Sequence, residues 1–145
     1  MTMRIRPYRN PDLEQVARIY REAALHSGAQ AYSEAELDAW AANADDLEAF
    51  GRQLANGVTL VAETADGETV AFGQLEPADR VALLYTAPGY ARASYASSIY
   101  RLLEDRAQAA GVRVLHTEAS RGARPFFEKQ GFELVASEQV ERNGV

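Results

Sequence analysis

The residues that could do chemistry in this chain gather between Leu83 and Phe132. Pro88 and Gly89 end an apolar run there, since proline restricts the residue before it and glycine admits positive φ. A helix should then begin near Ser94, with Ser97 and Ser98 in its first turn. A helix start carries partial positive charge and N–H groups outside the helical ladder, so it suits a phosphate or another anion. Arg92 offers a planar fork of donors to the same kind of group. Glu118 closes a predicted strand at the open side of a sheet, where ligands bind in α/β folds, and a carboxylate there could accept a proton. Glu76, just before Pro77, is a second carboxylate at a strand end. Tyr85, Tyr90 and Tyr95 bring three phenols near the same loop. No serine stands in a nucleophile-elbow pattern, so a Ser-His-Asp hydrolase is excluded.

The elements that must position these groups are legible in order. Met3 to Tyr8 alternates as a strand. Asn10 and Pro11 open a helix as N-cap and first residue, with Leu13, Val16, Ala17, Tyr20, Ala23 and Ala24 on its apolar face. A second helix starts at Ser33, where Ser33 and Glu36 have capping-box spacing and Tyr32 can staple to Leu37. A third runs from Asp46 to about Leu54 and stops at Asn56-Gly57. Val58–Thr64 and Glu68–Leu75 read as strands joined by a turn at Ala65-Asp66-Gly67. Val81–Tyr85 is the next strand. A crossover helix from about Ser94 to Ala110, buried through Tyr95, Ile99, Leu102 and Leu103, leads to strand Val112–Ala119, a connection suited to parallel pairing. A short helix at Arg124–Gln130 ends at Gly131, and Phe132 to about Val140 forms the last strand. The result is a mixed α/β sheet in one domain, 1–145.

Composition bounds the rest. At 145 residues, with 47% hydrophobic and 25% charged content, the chain reads as one globular domain. Its net charge of −6 argues against a sequence-independent nucleic-acid binder. There is no cysteine, hence no disulfide or cysteine nucleophile, and His26 and His116 are too far apart in sequence to suggest a structural metal. No signal-like or membrane-spanning run is present, so a cytoplasmic protein is expected.

At this point the residues resemble a family. Leu84-Tyr85-Thr86, Pro88, Tyr90 and Leu103-Glu104 fall where the GNAT superfamily of N-acetyltransferases has Leu-Tyr-Val, His-Pro-x-Tyr, a pyrophosphate loop and Leu-x-x-Glu. Thr117-Glu118-Ala119-Ser120 and Ala123-Arg124-Pro125-Phe126-Phe127-Glu128, through Gly131-Phe132, are similar to a small single-domain bacterial subgroup. The likeness runs from Ile5-Arg6-Pro7-Tyr8 to Asn143-Gly144-Val145. It implies the GNAT fold, a mixed and mostly antiparallel sheet flanked by helices. Members of the subgroup continue with a further strand pairing the one that starts at Phe132. The chain is therefore expected to lack its last strand, leaving an edge that a second copy could cover as a homodimer.

The resemblance also implies a reaction, acetyl transfer from acetyl-CoA to an amine of a small molecule. Leu83, Leu84 and Tyr85 on the strand, and Arg92, Ala93, Ser94, Tyr95, Ala96 and Ser97 in the loop and helix start, would surround the cofactor. Leu83 or Leu84 would give the backbone N–H that polarises the thioester. Glu118 is the first candidate base and His26 another. Tyr85 is a candidate acid, because the family's usual tyrosine matches Phe127. The acceptor pocket would involve His26, Tyr32, Trp40, Glu76 and Phe126. No metal is implied. The loop departs from the pattern, with Ser94 at the first glycine and Arg92 at a preceding one. Glycine there lets the backbone approach a pyrophosphate. A competing reading follows: a cleft that no longer takes CoA, remodelled by Tyr95, Tyr100 and Arg92 for another small ligand. A third is an interaction role through the sheet edge.

Overall fold

The computed structural model describes residues 3–27, 42, 46–90, 94–118, 124–136 and 139–143. Among the described residues seven strands form one sheet: β1 (Arg4–Pro7), β2 (Val58–Glu63), β3 (Thr69–Leu75), β4 (Arg80–Thr86), β5 (Val114–Glu118), β6 (Glu133–Ala136) and β7 (Gln139–Asn143). Their order is β1-β2-β3-β4-β5-β7-β6. Only β4 and β5 run parallel; the other neighbours are antiparallel. The helices are α1 (Leu13–Ser27), α2 (Leu47–Leu54), α3 (Tyr95–Ala109) and α4 (Arg124–Lys129). No helix among the described residues is long and apolar enough to cross a membrane.

The helix ends follow from local chemistry. Arg9, in extended geometry (φ −135, ψ 156), is the N-cap of a short 3-10 turn, Asn10–Asp12, that leads into α1. This corrects the expectation for Asn10. The Asp12 carboxylate accepts the Arg9 N–H at 2.8 Å, so an acid three residues on fills the role expected of the asparagine. On α2, the Asp46 side chain accepts from the Ala49 N–H at 3.0 Å. Helices α3 and α4 both close on a glycine at positive φ, Gly111 (84°) and Gly131 (96°). In each, the residue after the glycine donates five residues back, Val112 to the Ala107 carbonyl and Phe132 to the Phe127 carbonyl. This is the Schellman arrangement, and it turns both chains back toward the sheet.

Two cores sandwich the sheet. On one face α3 places Tyr95, Ile99, Tyr100, Leu103 and Ala107 against β2, β3 and β5, with Phe127 and Phe132. On the other, Val16, Ala17, Ile19 and Tyr20 of α1 meet Phe50 and Leu54 of α2 over Val61 and Phe72. Strand β3 is buried at all seven positions because both faces are covered. Gly73 sits at its centre, opposite Leu84. A Cβ there would meet Ile99 Cγ2 at 2.7 Å, Leu84 Cδ1 at 3.0 Å and Leu103 Cδ1 at 3.2 Å. Glycine thus sets how closely α3 lies on the sheet. Gly73→Ala should lower stability by about 1–2 kcal/mol through overpacking, read as a shift in the urea midpoint. An unchanged midpoint would contradict this packing.

The end of the chain differs from its sequence reading. The stretch from Phe132 to Val140 is two strands, not one, and the final strand expected to be missing is present. Strand β7 lies between β5 and β6, pairing Val114 with Asn143 through Glu118 with Gln139, and Leu134 with Val140. The strand that starts after Phe132 is therefore paired within the chain. The physical reason is that β5 offers an unfilled ladder on its edge away from β4, and residues 139–143 double back into it. The outer strands are β1 and β6.

Candidate functional site

The site begins with a mismatch in β4. Gln74 pairs with Leu83 but Leu75 pairs with Val81, so Ala82 is an extra residue, a bulge on the β4 side of the ladder. On the opposite side, β4 and β5 pair only at Arg80 with His116 and Val81 with Thr117. Beyond these rungs, no described strand pairs with this edge of β4. A gap opens between the parallel strands, just past the bulge.

The backbone direction in that gap follows from the ladder. The Ala87 N–H donates to the Val70 carbonyl at 2.8 Å. In an antiparallel ladder these bonds alternate, so Leu83 and Tyr85 also turn their N–H groups to β3. Leu84 and Thr86 turn theirs to the gap. The Leu84 side chain packs with the α3 core, while Leu83 and Tyr85 lie on the α1 face.

Helix α3 starts above the same segment, since Ile99, one turn in, shares the Gly73 contact with Leu84. Its first intrahelical bond is Ser98 N–H to the Ser94 carbonyl at 3.0 Å. The N–H groups of Ala96 and Ser97 precede that ladder, at the positive end of the helix. Ser94 itself adopts φ 68, ψ 14, the left-handed region that glycine prefers. Its side chain makes no capping bond. The backbone here thus follows a glycine-like path although the residue is serine. Such a conformation costs an L-residue about 1–2 kcal/mol, partly offset by the greater unfolded freedom of glycine. Ser94→Gly should therefore stabilise the protein by about 0.5–1 kcal/mol, checked by thermal unfolding. A destabilised variant would mean that the hydroxyl matters more than the conformation.

Side chains around the gap are arranged in two groups. Glu118, at the end of β5, is exposed and lies 3.8 Å from Arg80, whose Nε donates to the Glu76 carbonyl at 2.9 Å. His116 Nε2 lies 3.8 Å from the Asp79 carboxylate. On the α1 face, Tyr85 stacks on Phe72 at 5.7 Å and meets Tyr20 edge-on at 5.0 Å. The Tyr90 hydroxyl donates to Glu68 at 3.1 Å, and that bond raises its pKa above the ordinary phenol value, which weakens it as an acid.

Tyr95 and Tyr100 are core residues, 1% and 2% exposed. Tyr100 contacts Phe126, Phe127 and Phe132 edge-on and donates its hydroxyl to Glu104 at 2.8 Å, one turn further from the loop. These phenols fill space beneath α3. Phe126 is half-buried beside them, and Ala96 and Ser97 are half-buried at the helix start. Arg92, Ala93, Tyr32 and Trp40, and the side chain of His26, lie outside the described residues. Among the described residues no group of three acids or histidines is placed to hold a metal.

The structure thus brings Leu84 and the start of α3, with Ser94, Ala96 and Ser97, to the α3 side of this gap and Glu118 to the end of β5, while Leu83 and Tyr85 lie on the α1 face and the Glu76 side chain lies against Gly57. It adds three features that the sequence reading missed: the bulge at Ala82, the Arg80 and Asp79 contacts, and Thr117 at the vertex of the gap. Only Thr117 left a faint trace, a hydroxyl on the face of β5 that otherwise holds Leu115. An extended edge of inward N–H groups beside a helix start fits a long thioester cofactor with phosphates at one end.

Comparison with known proteins agrees with this geometry. A family model described as Acetyltransferase (GNAT) domain matches residues 28–145. The uncharacterized N-acetyltransferase YafP of Escherichia coli K12 is 29% identical over 144 residues, covering 98% of this chain and 89% of that protein. A crystal structure from Rhodopseudomonas palustris, described as a GCN5-related N-acetyltransferase and aminotransferase class II, superposes with a TM-score of 0.91 at 30% identity, covering 99% of this chain and 96% of that one. The PaiA N-acetyltransferase of Thermoplasma acidophilum, solved with coenzyme A, shares the fold at a TM-score of 0.85 and 19% identity, over 99% of both chains. With the family model spanning most of its length and the sheet opening between its parallel strands, the chain belongs to the GNAT family of acetyltransferases.

Proposed function

We propose that this protein transfers an acetyl group from acetyl-CoA to an amine of a small molecule. The observation that carries the reading is the gap itself, where the Leu84 and Thr86 N–H groups face inward beside the start of α3. The coenzyme A complex of the Thermoplasma neighbour supports it.

Acetyl-CoA bound in the gap supplies an activated thioester carbonyl. The Leu84 N–H, turned to the gap, would donate to that oxygen as charge develops on it, and a fixed donor needs no reorganisation as the charge forms. The first-turn N–H groups at Ala96 and Ser97, with Arg92 and Ala93 before them, would hold the phosphates. Ser94 keeps the loop backbone in the conformation that a close approach needs. Glu118 is the candidate base, directly or through water, with Arg80 anchoring its carboxylate at the mouth. Glu76 and His26 are the other candidates for that proton. The departing group is a thiolate, and thiols ionise near pH 8.5, so a weak acid suffices. Phe127 cannot serve, and Tyr85 is the candidate phenol on β4. The acceptor would lie against Tyr85 on the α1 face, with His26, Tyr32 and Trp40 toward it; Phe126, packed on the α3 face, and Glu76, whose side chain lies against Gly57, stand away from that surface.

The test is thermal unfolding with and without acetyl-CoA. At a concentration about 100 times the dissociation constant, ligand should stabilise by roughly 2.7 kcal/mol and raise the midpoint by several degrees. No shift at millimolar acetyl-CoA would overturn the reading.

A further inference from the structure

The vertex of the β4–β5 gap is fastened on both faces. On the face toward α3, the Thr117 hydroxyl donates to the Val81 carbonyl at 2.8 Å, with Thr117 only 5% exposed. On the other face, Arg80 lies 3.8 Å from Glu118, and within the sheet the His116 N–H donates to the Asp79 carbonyl at 2.8 Å. Thr117 and Val81 form the last rung of the parallel ladder, and the Ala82 bulge follows at once. Leu83 to Thr86 therefore extend from this vertex, held by β3 along one edge only.

The choice of threonine at this buried place calls for a reason. Leu115, two residues earlier on the same face, is fully buried among apolar side chains. Valine would fill the same volume, keep the β-branch and remove the cost of burying a hydroxyl. A carbonyl oxygen has two lone pairs, so Val81 can accept the hydroxyl in addition to a ladder bond. The side chain thus adds a link across the two strands at the one rung where the ladder stops.

We propose that Thr117 is a positioning residue: its bond to Val81 fixes the angle at which β4 leaves β5, and with it the aim of the Leu84 N–H. This rests on the acetyl-transfer reading given above, but the clasp can be tested separately. Without the hydroxyl the last rung loosens and the gap varies in width. The Leu84 donor then no longer meets one fixed point, whereas phosphate contacts at the helix start, which take no part in this rung, are unaffected.

The experiment compares wild type, Thr117→Val and Thr117→Ser by two readouts. The first is hydrogen exchange, in the unliganded protein, at the His116 amide, which donates to the Asp79 carbonyl beside the clasp. The valine variant should exchange about tenfold faster there, as expected for losing one net hydrogen bond, while serine stays near wild type. Unchanged exchange in the valine variant, or equal acceleration in both variants, would overturn the clasp. The second readout is the ratio of dissociation constants for CoA and acetyl-CoA, by calorimetry. Acetyl-CoA should bind severalfold tighter than CoA to wild type and the serine variant, and the valine variant should lose that preference while keeping its affinity for CoA. A purely structural role would weaken both ligands together, and that result overturns the positioning proposal. If wild type binds neither ligand, the acetyl-transfer reading fails and the positioning role falls with it, while the exchange data still decide whether the clasp exists.

Discussion

Replacing Leu84 with proline is expected to slow acetyl transfer by about 10²–10³-fold, the usual effect of removing one oxyanion donor. Proline in a central strand normally breaks a ladder bond. At position 84 it would not, because the bonds to β3 are made by Leu83, Tyr85 and Ala87, and the Leu84 N–H faces the gap. The fixed φ of proline is close enough to extended backbone to be accommodated there. The variant also loses the leucine side chain that packs under α3, so Leu84→Ala is the control, with the N–H kept and about 2 kcal/mol of packing lost. Both should be assayed well below their unfolding midpoints. The chain has no cysteine, so a thiol reagent reports only the CoA released. Proline activity within threefold of the alanine control would remove the Leu84 amide from the mechanism.

Leu84 also shows how far the sequence could be read. Signals that act within a few residues were legible: the start of α2 at Asp46, Gly111 and Gly131 ending α3 and α4, and the apolar spacing that buries Val16, Ala17 and Tyr20. The choice between Leu83 and Leu84 was not, because it depends on a register with β3 that one bulge shifts, and nothing in the alanine at position 82 announces a bulge. The left-handed Ser94 was hidden for another reason. Nothing in a serine announces positive φ, which glycine adopts far more readily. The β6–β7 hairpin was missed because residues 137–138 are Ser and Glu, with none of the Asn-Gly or Asp-Gly chemistry that marks a tight turn. Tyr95 and Tyr100 looked like contents of a remodelled cleft, but the helix turns both of them into the core. Spacing along α3 placed Tyr95 on its buried stripe but gave Leu102 the place that Tyr100 takes: Leu102 is 41% exposed and Tyr100 is 2% exposed.

The largest effect on stability is expected at Asp12. Arg6 reaches it from β1 with both terminal nitrogens, NH1 to Oδ2 at 2.8 Å and NH2 to Oδ1 at 2.7 Å, and NH2 also approaches Glu63 at 3.3 Å. The pair ties the first strand to the start of α1, and Asp12 accepts the Arg9 N–H as well. Both side chains are largely shielded, at 13% and 9% exposure. Asp12→Ala removes the fork and the cap and leaves a poorly compensated guanidinium, at a cost of about 3 kcal/mol. For a domain of this length that corresponds to a midpoint lower by roughly 10 °C. The hydrogen bonds from Arg6 hold the Asp12 carboxyl below its usual pKa, outweighing the opposing effect of burial. The unfolded chain therefore binds this proton more readily than the folded one. The contribution is complete above the unfolded carboxylate pKa near 3.8 and is lost as pH falls through the lower folded value. Wild type should accordingly lose its advantage over Asp12→Ala as pH is lowered from 6 to 3, followed by urea unfolding. A difference that stays constant across that range would show that the aspartate acts by packing, and that its charge is not what joins β1 to α1.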